Sequence, residues 1–297
     1  LYYCFIKNSF YIASEIKQLL SFDNNQRLIN KEILYSFLMK GERNTTKNTF
    51  FKDIYQLRGG ERLIFNINTQ NLDVKLYYDL KNQISNNSNS TILKDVEEEW
   101  LYKIKNAITL RISTEKTSGA LLSGGFDSST IALVLNQIKQ KNMESLSKKL
   151  TNKYFTATFP EQKYDESKYV ASLTSMYAFD SIQVTPTSSL FLEYLENLVW
   201  LQEEPIGTDS VFAQYIVYKT VKNNGVEQIF DGQGADSILA GHSGFYKPFF
   251  LSLLKNNKFE FLKELFYYTI NYSFIDLVSK IAPKNDYNSL LSHNYFS

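Results

Sequence analysis

The sequence predicts an α/β protein in two parts: a short, sheet-rich α+β unit, then a parallel sheet covered by helices on both faces. Two observations carry this expectation. A run rich in Asn and Ser, "NQISNNSNST" (82–91), cannot bury a face and divides the chain as a linker or exposed loop. Before it, strand-like alternation dominates. After it, strand-like and helix-like runs take turns, the rhythm of a parallel sheet with crossover helices.

Within the first part, "LYYCFIKNSFYIAS" reads as two aromatic strands around a Lys-Asn-Ser turn. "NKEILYSFLMKG" sets Ile33, Leu34, Phe37 and Leu38 on one helical face, with Gly41 placed to end the helix. "ERLIFNINTQNLDVKLYYDL" returns to strand alternation around an Asn-rich turn. Beyond the linker, 97–112 reads as an amphipathic helix and "GALLSG" as a strand entering the helix "DSSTIALVLNQIKQ". Further strands are read at 153–159, "SIQVTP" and "VEQIF", with helices at 166–177, "SLFLEYLENLVW" and 210–225. From about Phe245 the chain reads as helical and rich in Phe, Tyr and Leu, with an apolar face that expects core or a partner.

Bulk properties exclude several classes. A 43% hydrophobic, 15% aromatic chain of 297 residues is globular and long enough for a sizeable core. A net charge of +1 argues against nucleic acid and anionic membrane as partners. The single cysteine, Cys4, rules out an internal disulfide or a cysteine-rich zinc site, and its place in an apolar strand predicts a core thiol. No apolar run approaches a membrane span, and no signal peptide opens the chain, which fits a cytoplasmic setting. The chain opens on Leu1, so a fragment or processed product is expected.

The chemistry concentrates in two glycine turns. "GALLSGGFDSSTIALVL" (119–135) runs from a strand through Gly124 and Gly125 into a helix. Such a turn exposes backbone N–H groups at the positive end of a helix dipole, where small residues let a phosphate approach and serine hydroxyls add donors. The lysine of the G-x-x-x-x-G-K-[ST] loop is lacking, and G-x-G-x-x-G does not match. Asp127 would repel a bare phosphate and makes sense with a Mg²⁺ between carboxylate and phosphates. The second turn, "IFDGQGADSILAGH" (229–242), again ends a strand, with Asp231 and Asp236 flanking Gly232-Gln233-Gly234. If both turns end strands of one sheet, Asp127 and Asp236 could face each other across a metal–pyrophosphate. Each turn could also be a plain capped turn, with the aspartate or serine as N-cap.

These residues carry a resemblance. "LLSGGFDSS" resembles the S-G-G-x-D-S loop of ATP pyrophosphatases, and "DGQGADSILAGH" resembles the S-G-E-G-A-D-E-L-F-G-G-Y segment of glutamine-hydrolysing asparagine synthetases. "EEPIGTDSVFAQYIVYK" is similar to that family's D-E-P segment and following helix. Upstream, "FYIASEIKQLL", "RLINKEILYSFLMKG" and "TFFKDIYQLRGGERLIF" are similar to the end of its glutaminase domain. The resemblance implies the C-terminal remnant of an Ntn-type glutamine amidotransferase domain over 1–85. It implies a doubly wound, adenine nucleotide α-hydrolase-like synthetase domain over 86–297, incomplete at its end. It further implies a ligase that uses ATP and Mg²⁺ to adenylate the aspartate side chain. Amide formation follows with ammonia, taken from glutamine in an intact protein. No nucleic-acid or membrane partner is implied, and a homodimer is compatible with it.

Position by position, the resemblance assigns pyrophosphate to Ser123, Gly124, Gly125, Ser128 and Ser129, and Mg²⁺ to Asp127 and Asp236. It assigns the adenylate to the backbones of Leu121, Ala157 and Gly232 with Asp231 alongside, and the catalytic position to Gln233. Four departures narrow this. Cys4 is not the family's N-terminal nucleophile, and the glutamine-binding half lies upstream, so glutamine hydrolysis is not expected of this chain. Gln233 stands where the pattern has Glu, and an amide cannot act as a general base. Ser237 and His242 replace Glu and Tyr; Gln233 and Ser237 leave room for a different acceptor carboxylate, and His242 reads as a helix-end residue. The family's late basic residues have no secure match. A nucleotide-binding protein without turnover is the contrasting class. Asp165 or Glu166, in "YDES", reads as a helix N-terminal charge rather than a ligand.

Overall fold

The computed structural model describes residues 1–22, 27–84, 93–140, 149–160, 162 and 165–271. The first unit opens with strands β1 (Tyr2–Ile6) and β2 (Ser9–Ala13), a hairpin in the register Ile6↔Ser9. Lys7 and Asn8 take φ of 47° and 64°, both left-handed, as the right-handed strand twist demands of a two-residue turn. Helix α1 (Ile16–Leu20) follows, then α2 (Lys31–Lys40), which starts on the Asn30 side chain and, as the sequence predicts, ends at Gly41, here left-handed. Ile33, Leu34 and Phe37 are half-covered, whereas Leu38 is 69% exposed. The covered stripe is one residue narrower than the periodicity suggests: Phe37 packs edge-on against Phe50, while Leu38 stands exposed.

Strand β3 (Tyr55–Gln56) joins the first sheet in the order β2-β1-β3, and β4 (Glu61–Phe65) pairs with β5 (Leu72–Leu76) as a separate hairpin. Cys4, wholly buried beside Ile6, Ile16, Leu19 and Ile54, is the core thiol the sequence predicts, and burial raises its pKa. Helix α3 (Leu80–Ile84) occupies the start of the predicted linker, and the stretch 85–92 lies outside the described residues.

The second unit begins with α4 (Leu93–Thr109), which stops three residues before the predicted end, and β6 (Ser118–Leu121). Then come α5 (Phe126–Gln140), β7 (Leu150–Ala157), α6 (Ser167–Tyr177), β8 (Asp180–Val184), α7 (Ser188–Gln202), α8 (Ser210–Asn223) and β9 (Gln228–Phe230). The four strands form one parallel sheet in the order β8-β7-β6-β9. Neighbouring residues of β7 serve opposite faces, as a period of two requires. Tyr154 joins the core under α4, α5 and α6, and Phe155 joins the cluster of Val217 and Val221 on α8. Burying a side chain of that size stabilises by about 1.5–3 kcal/mol. Both faces are therefore covered, and the sheet is doubly wound.

Short α9 (Ala235–Ile238) and the pair α10 (Tyr246–Asn256) and α11 (Lys258–Asn271) complete the described chain. The aromatic stripe of this last pair closes partly on itself, Phe250 and Tyr268 being buried against Phe261 and Leu265. His293 lies outside the described residues.

The units are joined by two consecutive glutamates after α7. Left-handed Glu203 (φ 63°) accepts the backbone N–H groups of Ile16 and Lys17, both at 2.8 Å, at the start of α1. Lys17 Nζ sits 3.3 Å from the same carboxylate. Glu204, buried, accepts the Phe50 N–H and faces Arg43 at 3.8 Å; burial outweighs these partners and raises its pKa.

Candidate functional site

In the order β8-β7-β6-β9, successive connections from β6 run one way, and the return to β9 runs the other. The switch lies between β6 and β9, and an open parallel sheet binds ligands beyond the carboxyl ends of the strands at that point. Both glycine turns sit there, one leaving β6 and the other leaving β9.

The first turn is closed by its own serines. The Ser123 N–H donates to Ser128 Oγ at 3.1 Å, the two hydroxyls lie 3.0 Å apart, and the Gly125 N–H donates to Ser123 Oγ at 3.2 Å. Ser128, buried, also donates to the Gly125 carbonyl. Gly124 takes φ +87°, and a Cβ there would come within 2.8 Å of Tyr169 Cβ and 3.2 Å of the Glu166 carbonyl. The turn needs glycine for both its backbone angle and its closeness to α6. Leu121 and Ala157, at the ends of adjacent strands, flank it.

The second turn lies against the first. A Cβ on Gly232 would meet Ser128 N at 2.8 Å and the Asp127 carbonyl carbon at 2.9 Å, so the backbone of one turn touches the helix start of the other. Asp127 and Ala235 line one open cleft together with Trp100, Phe126 and Leu239. The carboxylate of Asp231 accepts the Gln233 N–H at 3.0 Å and the Tyr218 hydroxyl at 3.2 Å. Gln214 Nε2 donates to Tyr218 Oη at 3.1 Å and to Gln233 Oε1 at 2.7 Å. Asp236 pairs with His242 Nε2 at 3.3 Å, so a residue read from sequence as a helix end belongs to the site's rim. Beyond β7, Asp165 accepts the Phe159 N–H and the Ser167 hydroxyl, which hold its carboxyl below the usual range. It clamps the loop after β7, as well as standing at the start of α6.

The predicted residues are thus brought to one end of one sheet. Sequence reading missed Tyr218 and Gln214. Their only signal was an i, i+4 spacing on the helix preceding the second turn.

The donor set fits nucleotide and metal in specific ways. Ser129 Oγ is buried and has no hydrogen-bond partner among the described residues, a donor held ready at a helix start. Among the described residues no group of three or more His, Cys, Asp or Glu could hold a metal ion by itself. Asp127 stands in the first turn of α5 and Asp236 in the first turn of α9, one carboxylate on each glycine turn.

A doubly wound sheet with paired phosphate-type turns at its switch point defines a nucleotide-binding α/β protein. The asparagine synthase family model matches residues 99–294, two thirds of the chain, and the chain belongs to that family. It is 25% identical over 292 residues to the putative asparagine synthetase [glutamine-hydrolyzing] 2 of Methanocaldococcus jannaschii, covering 97% of this chain and 51% of that protein. It is 25% identical over 252 residues to amidase chyE of Penicillium rubens, covering 82% of this chain and 36% of that protein. With asparagine synthetase [glutamine-hydrolyzing] 1 of Bacillus subtilis it shares 23% over 249 residues, covering 84% and 36%. The chain spans about half or less of the length of these relatives.

Proposed function

We propose that this chain carries the ATP-handling part of a carbon–nitrogen ligase that adenylates a carboxylate, aspartate first among acceptors, and converts it to an amide. The observation that carries this reading is the contact of Gly232 with the Asp127–Ser128 backbone, which packs the two turns against each other at the switch point. In this reading 86–297 is the synthetase domain and 1–85 the C-terminal part of a glutamine amidotransferase domain that delivers ammonia from glutamine in an intact, cytoplasmic enzyme.

An acceptor carboxylate oxygen attacks the α-phosphorus of ATP. The bond to the β-phosphate oxygen breaks, and pyrophosphate leaves. Ammonia then adds to the acyl carbon, the bond to AMP breaks, and nitrogen sheds a proton to solvent or buffer. Ser123, Gly124, Gly125, Ser128 and Ser129 form the pyrophosphate loop: Ser123 and Ser128 hold its shape, and the Ser129 hydroxyl is the donor kept for the ligand. Leu121, Ala157, Asp231 and Gly232 line the adenylate, and Gln233 faces the reacting acyl group. Asp127 and Asp236 would hold a Mg²⁺, which would supply positive charge against the phosphates. Preorganised donors of this kind favour the developing charge because they need no rearrangement during reaction.

The test is aspartate-dependent exchange of labelled pyrophosphate into ATP with Mg²⁺, beside Asp127→Ala. Exchange that requires aspartate and vanishes in the variant supports the reading; ATP binding without exchange removes aspartate as acceptor. A second reading, another carboxylate acceptor, is favoured by Gln233 and Ser237 and by the similarity to a protein named as an amidase. Among the described residues no helix is long and apolar enough to cross a membrane.

A further inference from the structure

Resting on the ligase reading, we infer that Asp231, Tyr218 and Gln214 form a polarity-setting relay. The relay commits the Gln233 side chain to present its amide N–H₂, as a donor to the acyl carbonyl oxygen of the adenylate.

The derivation needs only hydrogen-bond chemistry. An ionised carboxylate accepts and never donates, so the Tyr218 hydroxyl must give its proton to Asp231 Oδ2 across the 3.2 Å contact. That proton being used, the Tyr218 oxygen can only accept from Gln214, 3.1 Å away, and the facing Gln214 atom must be nitrogen. The same nitrogen lies 2.7 Å from the Gln233 side chain, whose facing atom must then be its carbonyl oxygen. The Gln233 nitrogen is left out of the relay, on an exposed side chain two residues before the cleft residue Ala235. Burial, and then the neighbouring Asp231 charge, raise the Tyr218 pKa and keep the phenol a donor. The other Asp231 oxygen takes the Gln233 backbone N–H and fixes the turn itself.

Position 233 therefore offers a donor where the asparagine synthetase pattern offers a carboxylate. As ammonia adds, negative charge grows on the acyl oxygen, and a prealigned N–H strengthens there. Tyr218, Gln214 and Asp231 act through Gln233 and are positioning residues.

The relay can be reversed without changing its shape. In Asp231→Asn, the amide oxygen keeps the Gln233 N–H, and Nδ2 faces Tyr218 as a donor. Tyr218, now accepting from Nδ2, is released to donate to Gln214, whose oxygen then faces Gln233 and turns the Gln233 oxygen outward.

The experiment is calorimetric titration of the 297-residue chain with AMP and with N-acetylsulfamoyl adenosine, an acyl-adenylate mimic with no acceptor side chain. The readout is the ratio of the two affinities. Asp231→Asn and Gln233→Ala should each lower that ratio about tenfold, the scale of one hydrogen bond at a charged centre. Tyr218→Phe should lower it in the wild-type background and leave it unchanged in Gln233→Ala, since it acts only through that side chain. An unchanged ratio, or a Tyr218→Phe effect that adds to Gln233→Ala, would overturn the relay. So would Gln233→Glu binding the mimic as well as wild type does. Wild-type chain that binds neither AMP nor ATP overturns the ligase reading and the relay with it. Equal binding of the acetyl and aspartyl mimics, with the ratio shifts intact, removes aspartate and leaves the relay standing.

Discussion

In the first turn, residues 123–129, order comes from the turn's own parts: two serine hydroxyls, a left-handed glycine and a helix start. In the second, residues 231–236, order is imported through the Asp231 carboxylate from side chains on α8. The first is a closed local motif; the second depends on a helix thirteen residues upstream of Asp231 at its nearest hydrogen-bonded contact. A locally closed motif can be read from a short stretch of sequence, and a remotely braced one cannot.

The sharpest way to break this pairing is Gly232→Ala. The new methyl would meet the first turn's backbone at 2.8 and 2.9 Å, and backbone cannot swing aside as a side chain can. Overpacking against rigid neighbours should cost about 1–3 kcal/mol and abolish nucleotide binding, read as a fall in melting temperature and a flat ATP titration. Gly234→Ala is the control: its φ is +93° but nothing lies within 4 Å of a Cβ. It should show backbone strain alone, about 1–2 kcal/mol.

Serine substitutions separate the turn's framework from its ligand donors. Ser128→Ala removes bonds to Ser123 and Gly125 and should destabilise the free protein by about 1–2 kcal/mol in denaturant unfolding. Ser129→Ala deletes a buried hydroxyl without a partner among the described residues. It should leave free stability level or slightly raised while weakening ATP. Equal effects from the two would mean that the first turn is not closed as described.

Smaller still is His242→Ala. The pair with Asp236 is exposed and should contribute under about 1 kcal/mol, so melting should barely move. The least effect is expected from acid at Asp165. Its folded pKa is lowered, by the Phe159 N–H first and then by Ser167. Its contribution is therefore present above the unfolded value near ~3.9 and lost as pH falls below it toward the folded value. Wild type should lose more stability than Asp165→Asn between about pH 5 and 3 in denaturant unfolding.

Much of the fold was legible because its signals are local. The hairpin at Lys7 and Asn8, the Gly41 end of α2, and the strand–helix alternation after the linker each depend on neighbours in sequence. Of the site, the serine turn and its glycines were legible for the same reason. Three features were not. Tyr218 and Gln214 look like ordinary polar positions on a helix until the second turn is folded beside them. His242 finds Asp236 only once α9 has turned the chain back. Leu38 fits the apolar stripe of α2, yet only tertiary neighbours decide how wide a covered stripe is.

Glu203 and Glu204 have a consequence for any attempt to dissect the molecule. Both carboxylates belong by chain position to the second unit and by bonding to the first, where the N–H groups of Ile16, Lys17 and Phe50 receive them. Division at the Asn- and Ser-rich run would strip each half of what the other supplies, leaving two anions without their donors and three donors without their anions. The boundary so plain in the written sequence separates two stretches of chain, not two independent modules.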